Sequence, residues 1–244
     1  MKKVIFLVVF FYVKFTFSQV GNVLVVPFGD RMFYNEATVK MLNVSKVSYA
    51  EMIRLFENGL VTAIQQEGGR RYITTNIMST TTNKDIKWQI RALLDFSSEE
   101  VNLEQQNEKM RVFSKSSTKI KRKKNIANNE GEVISIIGSN GNQFITSKVN
   151  SKKEFARICK DLNVSNVLVI NEMDIKEDYS TPYNNGKEYL RQIQVHFSFF
   201  DNKGKKLASG IALKNFPSSV NKINDIINLY FKDLAKQILK IISQ

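Results

Sequence analysis

The chain offers a single histidine, His196, and a single cysteine, Cys159, for nucleophilic or acid–base chemistry. A serine or cysteine nucleophile needs a base beside it, and no G-x-S-x-G motif accompanies His196. One histidine and one cysteine also cannot supply the usual ligands of a tetrahedral zinc site. We therefore expect no catalytic residue set, no metal and no cofactor. His196 is interpreted as a structural or surface residue, and Cys159 as a small buried apolar side chain.

Four acidic residues follow an apolar run in the second half of the chain: Glu172, Asp174, Glu177 and Asp178. Such a group could suggest calcium or a catalytic carboxylate pair. The spacing lacks the glycine and the alternating oxygen ligands of a calcium loop, and carboxylate pairs gain meaning only from their geometry. The sequence favours a solvated loop here, and it leaves open a carboxylate-dependent hydrolase that acts through Glu172 and Asp174.

A strongly basic segment occupies residues 109–124, where eight lysines and arginines occur without an acid. Such a cluster attracts polyanions with salt-sensitive affinity. Phe113 is its one aromatic residue, so it lacks a stacking platform for nucleic-acid bases. The sequence favours a solvated flexible loop; the alternative is a site for anionic lipid or an acidic protein surface, built from Lys119, Lys121, Arg122, Lys123 and Lys124.

The first 18 residues have the pattern of a secretory signal peptide. Lys2 and Lys3 precede an apolar core over 4–13, and Thr16 and Ser18 provide small residues before a cut at Gln19. That core is shorter than the roughly 20 residues of a membrane span. We expect a mature chain of residues 19–244 in the bacterial periplasm or secreted, with its formal charge lowered from +13 to +10 by the loss of three lysines.

Hydrophobic periodicity predicts an α/β (α+β) fold in which amphipathic helices flank a mixed sheet. Capping boxes at Ser48–Glu51 and Ser151–Glu154 mark two helix starts. Residues 98–131 lose both periodicities and are interpreted as a polar, mobile, basic insertion into a single domain of 19–244. The predicted helices are 48–68, 85–96, 151–162 and 220–242, and the predicted strands are 23–26, 71–78, 132–137, 143–148, 166–173, 189–200 and 205–213.

Three sequence stretches together carry a family resemblance: VLVVPF at Val23 to Phe28, the helix-to-strand passage over Leu162 to Ile170, and the hairpin over Val195 to Gly204. They resemble the α/β domain shared by the curli-secretion lipoprotein, the lipoprotein activators of penicillin-binding proteins and the N-terminal domain of TolB. The resemblance implies an envelope protein that docks onto or regulates envelope machinery. Those lipoproteins begin with a lipid-modified cysteine, whereas this sequence has Gln19, so no lipid anchor is expected.

The segment from Phe28 to Glu36 leaves the first strand through a proline turn. If the sheet is parallel there, this loop lies at the carboxyl end of a strand, where open α/β sheets place their ligand sites. We therefore predict that Asp30, Arg31 and Tyr34 form a partner-recognition surface of a non-enzymatic protein. A homo-oligomer is left open, and no nucleic-acid partner is expected.

Overall fold

The computed structural model describes residues 22–69, 74–76, 81–100 and 143–243. The predicted signal peptide, the basic residues 119–124 and the predicted strand 132–137 lie outside the described residues, as does most of the predicted strand 71–78. The strands are β1 (Val23–Val26), β2 (Phe33–Asn35), β3 (Thr74–Asn76), β4 (Leu94–Glu100), β5 (Gln143–Val149), β6 (Asn166–Tyr183), β7 (Glu188–Asp201) and β8 (Lys206–Pro217). The helices are α1 (Thr38–Ser45), α2 (Tyr49–Gly68), α3 (Thr81–Ala92), α4 (Lys152–Asp161) and α5 (Ile223–Ile242).

The main sheet is mixed, as the sequence predicts. Its strands run in the order β3-β1-β6-β7-β8, and β2 pairs with β6 beyond the end of β1. Strands β1 and β2 are parallel to β6, and β3 is parallel to β1. Strands β6, β7 and β8 form an antiparallel meander. Strands β4 and β5 pair antiparallel in a separate two-stranded sheet.

Helices α1, α2 and α5 cover one face of the main sheet and enclose the larger hydrophobic core. The N-cap predicted at Ser48 forms, because the Ser48 hydroxyl accepts a 3.2 Å hydrogen bond from the Glu51 backbone N–H. Apolar residues at helical spacing then face the sheet. Phe56 of α2 contacts Phe231 of α5 at 5.8 Å between ring centroids, which joins the two long helices over the sheet.

The opposite face carries a smaller core formed with α3, α4 and the β4–β5 sheet. Phe155 of α4 packs edge-on against Phe200 of β7 at 5.9 Å, and Cys159 is buried in the same core. Leu94 and Val149 bring β4 and β5 onto this face. No helix within the described ranges combines the length and the apolar character that crossing a bilayer requires.

Two predicted boundaries on this side are wrong. The helix predicted over 85–96 ends at Ala92, and Leu94–Glu100 forms β4, because pairing with β5 and burial in the smaller core outweigh local helical periodicity. Residues 98–100 of the predicted insertion therefore belong to a strand. At α4, the Ser151 side chain makes no capping hydrogen bond, so this second capping box does not form.

Two further segments hold more regular structure than the sequence predicts. Between Pro27 and the capped helix, the chain forms a 3-10 helix at Asp30–Met32, then β2 and α1, instead of a simple loop. Strand β6 continues to Tyr183, ten residues beyond its predicted end at Met173. Strand pairing explains β2 and the length of β6, because β2 pairs with β6 at residues 173–175 and β7 pairs with β6 as far as Tyr183, with an irregularity between Asp178 and Pro182.

Candidate functional site

A β-bulge at Asn171 decides which side chains of β6 meet on the polar part of the sheet. Ile170 pairs with Phe197 of β7, and the next paired residue is Glu172, opposite His196. Because one extra residue lies between these pairs, Asn171 and Glu172 both face the smaller core's side of the sheet. The alternation then resumes, so Asp174 joins them while Met173 and Ile175 enter the larger core.

The bulge is held by the buried guanidinium of Arg91 from α3. One of its terminal nitrogens donates to the carbonyls of Pro27, at 3.0 Å, and Ile170, at 3.1 Å, and the other donates to the carbonyl of Asn171 at 3.4 Å. Burial lowers the pKa of Arg91 to about 10, which leaves the group charged near neutral pH. Arg91 thus joins α3, the end of β1 and the bulge of β6.

The Asn171 side chain fixes strand β5 against the main sheet. Its amide nitrogen donates to the Ile145 carbonyl at 2.8 Å and to the Ser198 hydroxyl at 3.0 Å, and its oxygen accepts from the Ser147 hydroxyl at 2.9 Å. The Ser147 backbone N–H also donates to the Ser198 hydroxyl at 3.0 Å. The side chains of Asn171 on β6 and Ser198 on β7 therefore bind backbone groups of β5 and hold that strand against the main sheet.

His196 contributes to the same docking and is 3% exposed. Its Nδ1 accepts a 3.0 Å hydrogen bond from the Ile145 backbone N–H. Because Nδ1 is an acceptor there, the hydrogen of the neutral ring resides on Nε2. Within the described part of the chain, Nε2 has no hydrogen-bond partner, and it lies 3.8 Å from Asp174 Oδ2. His196 is therefore a buried structural residue, which is the first of the two roles that the sequence predicts for it and excludes the second, a surface position.

Glu172, Asp174 and His196 form one cluster, in which each offers a ligand-type atom within 4.8 Å of the others. Asp174 is buried, and Glu172 is partly buried. Burial, reinforced by the negative charge of Asp174 beside it, raises the pKa of Glu172. The prediction of a solvated loop is wrong for these two acids, because they lie within β6 and are flanked by β2 and β7.

Lys176 and Tyr34 border this carboxylate–histidine cluster. The Lys176 ammonium lies 3.4 Å from Asp174 Oδ2, and it donates to Gln194 Oε1 at 3.2 Å. Tyr34 of β2 is in register with Asp174 of β6 and is 56% exposed. Of the three residues predicted as a recognition surface, Tyr34 thus borders the cluster, and Asp30 and Arg31 are exposed in the preceding 3-10 helix.

A second group of polar side chains surrounds Glu177 near the end of the β6–β7 hairpin. Its carboxylate accepts hydrogen bonds from Lys40 Nζ at 3.2 Å, the Tyr189 hydroxyl at 2.7 Å, Arg191 Nε at 3.2 Å and the Tyr179 hydroxyl. Burial alone would raise the pKa of Glu177, but the bonds from Tyr179, Tyr189 and Lys40 outweigh it and lower that pKa to about 2. We call residues 177–191 the hairpin arm.

Sequence reasoning missed a buried ion pair between two helices. Glu57 of α2 and Lys87 of α3 meet at 2.5 Å, and both side chains are buried. Burial raises the pKa of Glu57, and the charge of Lys87 opposes this effect. The residues are 30 positions apart on different helices, and each resembles an ordinary solvated helix residue in the sequence, so no local pattern indicated the pair.

Comparison with protein families and with curated protein sequences gives no relative for this chain. No protein-family model matches it. No curated protein matches it significantly in sequence either. The carboxylate–histidine cluster and the hairpin arm therefore have to be interpreted from their own geometry.

Proposed function

We propose that this chain is an exported interaction protein of the bacterial cell envelope, which docks onto or regulates envelope machinery and is not itself an enzyme. Export is supported by the basic and apolar pattern of residues 1–18. Docking onto envelope machinery is supported by the resemblance to envelope α/β domains, whose three sequence stretches lie here on a short first strand, on a helix that leads into a central strand, and on a wide hairpin.

The main support for this proposal is that the hairpin arm holds an exposed tyrosine in a fixed orientation. Tyr179 is 69% exposed, yet its hydroxyl is bound to Glu177 and its ring packs at a tilt of 41° against Tyr189, with 4.6 Å between centroids. Exposed aromatic residues held in one orientation lose little conformational entropy on binding, which is why tyrosine is enriched at the energetic centres of protein interfaces. Tyr183 of the same arm is also exposed.

Site-specific photocrosslinking in the native envelope tests the proposal. A photoreactive residue placed at Tyr179 or Tyr34 should capture the same envelope protein repeatedly. The matched control is Leu229, an equally exposed position on α5 at 60% exposure, and it should not capture that partner. If Tyr179, Tyr34 and Leu229 all give the same background pattern, the docking function is refuted.

A carboxylate-dependent envelope hydrolase is the second candidate, because Glu172 and Asp174 are brought together on one face of β6. A carboxyl group with a raised pKa, such as Glu172, beside a second carboxyl group is an arrangement that glycosidases use for acid and base roles. Purified protein should then release soluble fragments from isolated peptidoglycan, and Glu172→Gln should abolish the release. The candidate is eliminated if the wild type releases nothing, or if Glu172→Gln releases as much as the wild type.

A further inference from the structure

We propose that Glu172 and Asp174 form a binding site for a hard divalent cation such as Ca²⁺ or Mn²⁺, with His196 facing Asp174 as a donor instead of ligating the ion. This inference is independent of the docking function. It rests on the geometry of the carboxylate–histidine cluster and on the unpartnered Nε2 atom that faces it.

The first argument is that the cluster is built on rigid elements. Glu172 and Asp174 lie on a central strand of the sheet, and His196 lies on the neighbouring strand. The bulge that brings Glu172 to this face is fixed by Arg91 on its carbonyls, and the imidazole is fixed by the Ile145 N–H. A cation site requires ligands held in place in this way before the ion arrives.

The second argument concerns charge and burial. Glu172 and Asp174 each direct a carboxylate oxygen into one largely buried cluster, where these atoms lie within 4.8 Å of each other, which is close enough for a single cation to contact both. His196 Nε2 adds a polar atom that is buried, lacks a partner among the described residues and points toward Asp174. Buried polar groups are normally satisfied, so this N–H donor calls for an acceptor oxygen beside it, which Asp174 or a water ligand of the bound ion would supply.

The tautomer of His196 selects the kind of ion. A metal-ligating imidazole nitrogen must carry a lone pair, and its other nitrogen then normally donates a hydrogen bond. Here Nδ1 accepts from Ile145, so Nε2 carries the hydrogen and is a donor. His196 therefore faces Asp174 as a donor, 3.8 Å away, instead of ligating the ion, and the ion is left with oxygen ligands. Oxygen-only sites suit calcium, magnesium and manganese, whereas imidazole and thiolate ligands suit zinc.

Lys176 is the natural competitor for this ion. Its ammonium lies 3.4 Å from Asp174 Oδ2, and its side chain is 46% exposed. The lysine can swing into solvent when a cation arrives, but its charge opposes binding in the meantime. Removing this charge should therefore strengthen cation binding, whereas removing a carboxylate charge should abolish it.

Manganese titration followed by electron paramagnetic resonance of the unbound ion provides the test on the full mature chain. We expect one Mn²⁺ per chain with a Kd of about 0.1 to 1 mM, the range of extracellular calcium modules. Lys176→Gln should tighten binding about fivefold, and Asp174→Asn should abolish it. Asp161→Asn, which alters an exposed carboxylate on α4, should bind as the wild type does. Circular dichroism confirms that each variant is folded.

Because the chain has a single histidine, the NMR signals of its imidazole provide a second, independent measurement of cation binding. In a ¹⁵N spectrum of the imidazole, saturating Ca²⁺ should shift the His196 signals while Nε2 keeps its hydrogen. Loss of that hydrogen on adding Ca²⁺ would overturn the assignment of His196 as a donor. The site itself is overturned if wild type and Lys176→Gln both fail to bind Mn²⁺ at 10-fold above the expected Kd, or if Asp174→Asn binds unchanged.

Discussion

At the residue scale, the carboxylate of Glu177 makes the stability of the fold depend on pH, because folding lowers its pKa strongly. Its pKa of about 2 lies below its ordinary value of 4.5. A group whose pKa is depressed on folding contributes stability that is full above the unfolded pKa and is lost as the pH falls toward the folded pKa. The contribution of Glu177 should therefore be present at neutral pH and disappear between about pH 4.5 and pH 2.

Glu177→Gln measures this contribution. At pH 7 the variant should lose roughly 1 to 2 kcal/mol of unfolding free energy, less than the full pKa difference implies, because water screens the exposed Lys40. The gap between variant and wild type in urea denaturation should close as the pH is lowered to about 2. If the difference in unfolding free energy between variant and wild type stayed constant over that pH range, the hydrogen bonds assigned to the Glu177 carboxylate would be contradicted.

The thiol of Cys159 provides a second prediction at this scale. Burial in the smaller core raises its pKa to about 12, and the residue is 1% exposed. Because the thiolate is the reactive form, Ellman's reagent should label the native protein at least about 100-fold more slowly than the urea-unfolded chain, which serves as the control. Rapid labelling of the native protein would show that α4 does not cover Cys159.

At the scale of elements, Arg91 is the connection between α3 and the bulge of β6. Arg91→Met keeps most of the side-chain volume but removes the donors to three carbonyls, so unfolding free energy should fall by about 2 to 4 kcal/mol. Arg157→Met on the exposed face of α4 is the matched control and should change stability little. Equal effects of the two substitutions would contradict the role assigned to Arg91.

The extent of β6 shows what the sequence could and could not predict. The helices and strands with a clear period, such as α2 and β7, were predicted correctly. The distal half of β6 was missed, although Met173 and Ile175 alternate with Asp174 and Lys176 as a half-buried strand requires. Two consecutive polar residues, Asn171 and Glu172, interrupt the alternation of apolar and polar residues along β6. Such an interruption indicates a β-bulge, and it could have been recognised in the sequence.

The carboxylate–histidine cluster could not be predicted in the same way. Glu172 and His196 meet because of the strand register, which depends on the bulge and on the bonds from Arg91. The tautomer of His196 depends on Ile145, which is on a different sheet. Relations of this kind involve residues far apart in the chain, so composition and periodicity carry no information about them.

At the scale of the whole molecule, the outer edge of β8 is the place where a second copy of the chain could add a strand. Among the described strands, β8 pairs only with β7. The Gln237 side chain of α5 accepts from the Leu213 N–H at 3.0 Å and donates to the Leu213 carbonyl at 2.9 Å. This amide occupies backbone groups that a strand from another chain would need, and covering an edge in this way opposes edge-to-edge pairing.

Gln237→Leu should therefore increase the exchange rate of the Leu213 amide hydrogen and favour dimers. The measurements are hydrogen exchange by NMR and light scattering over a concentration series. Lys236→Met, on the exposed side of the same helix, is the control. Unchanged exchange at Leu213 together with an unchanged mass would show that Gln237 does not protect the edge.

The charge of the whole chain predicts attraction to anionic surfaces through the basic residues 119–124, which lie outside the described residues. Each basic residue near an anionic membrane contributes about 1 kcal/mol, and salt screens this attraction. Replacing Lys119, Lys121, Arg122, Lys123 and Lys124 by glutamine should weaken sedimentation with phosphatidylserine vesicles at low salt. Equal sedimentation of variant and wild type would show that the segment does not bind lipid.

The bulge at Asn171 also determines how β6 would tolerate the loss of a residue. Deleting Asn171 would turn the bulge into a regular pair and leave Met173 and Ile175 facing the larger core. Deleting Met173 would instead turn Asp174 toward that core. A shortened chain lacking Asn171 should thus retain the main sheet and the facing of Glu172 and Asp174 while losing the side-chain bonds to β5, and it would separate the folding of β6 from the docking of β5.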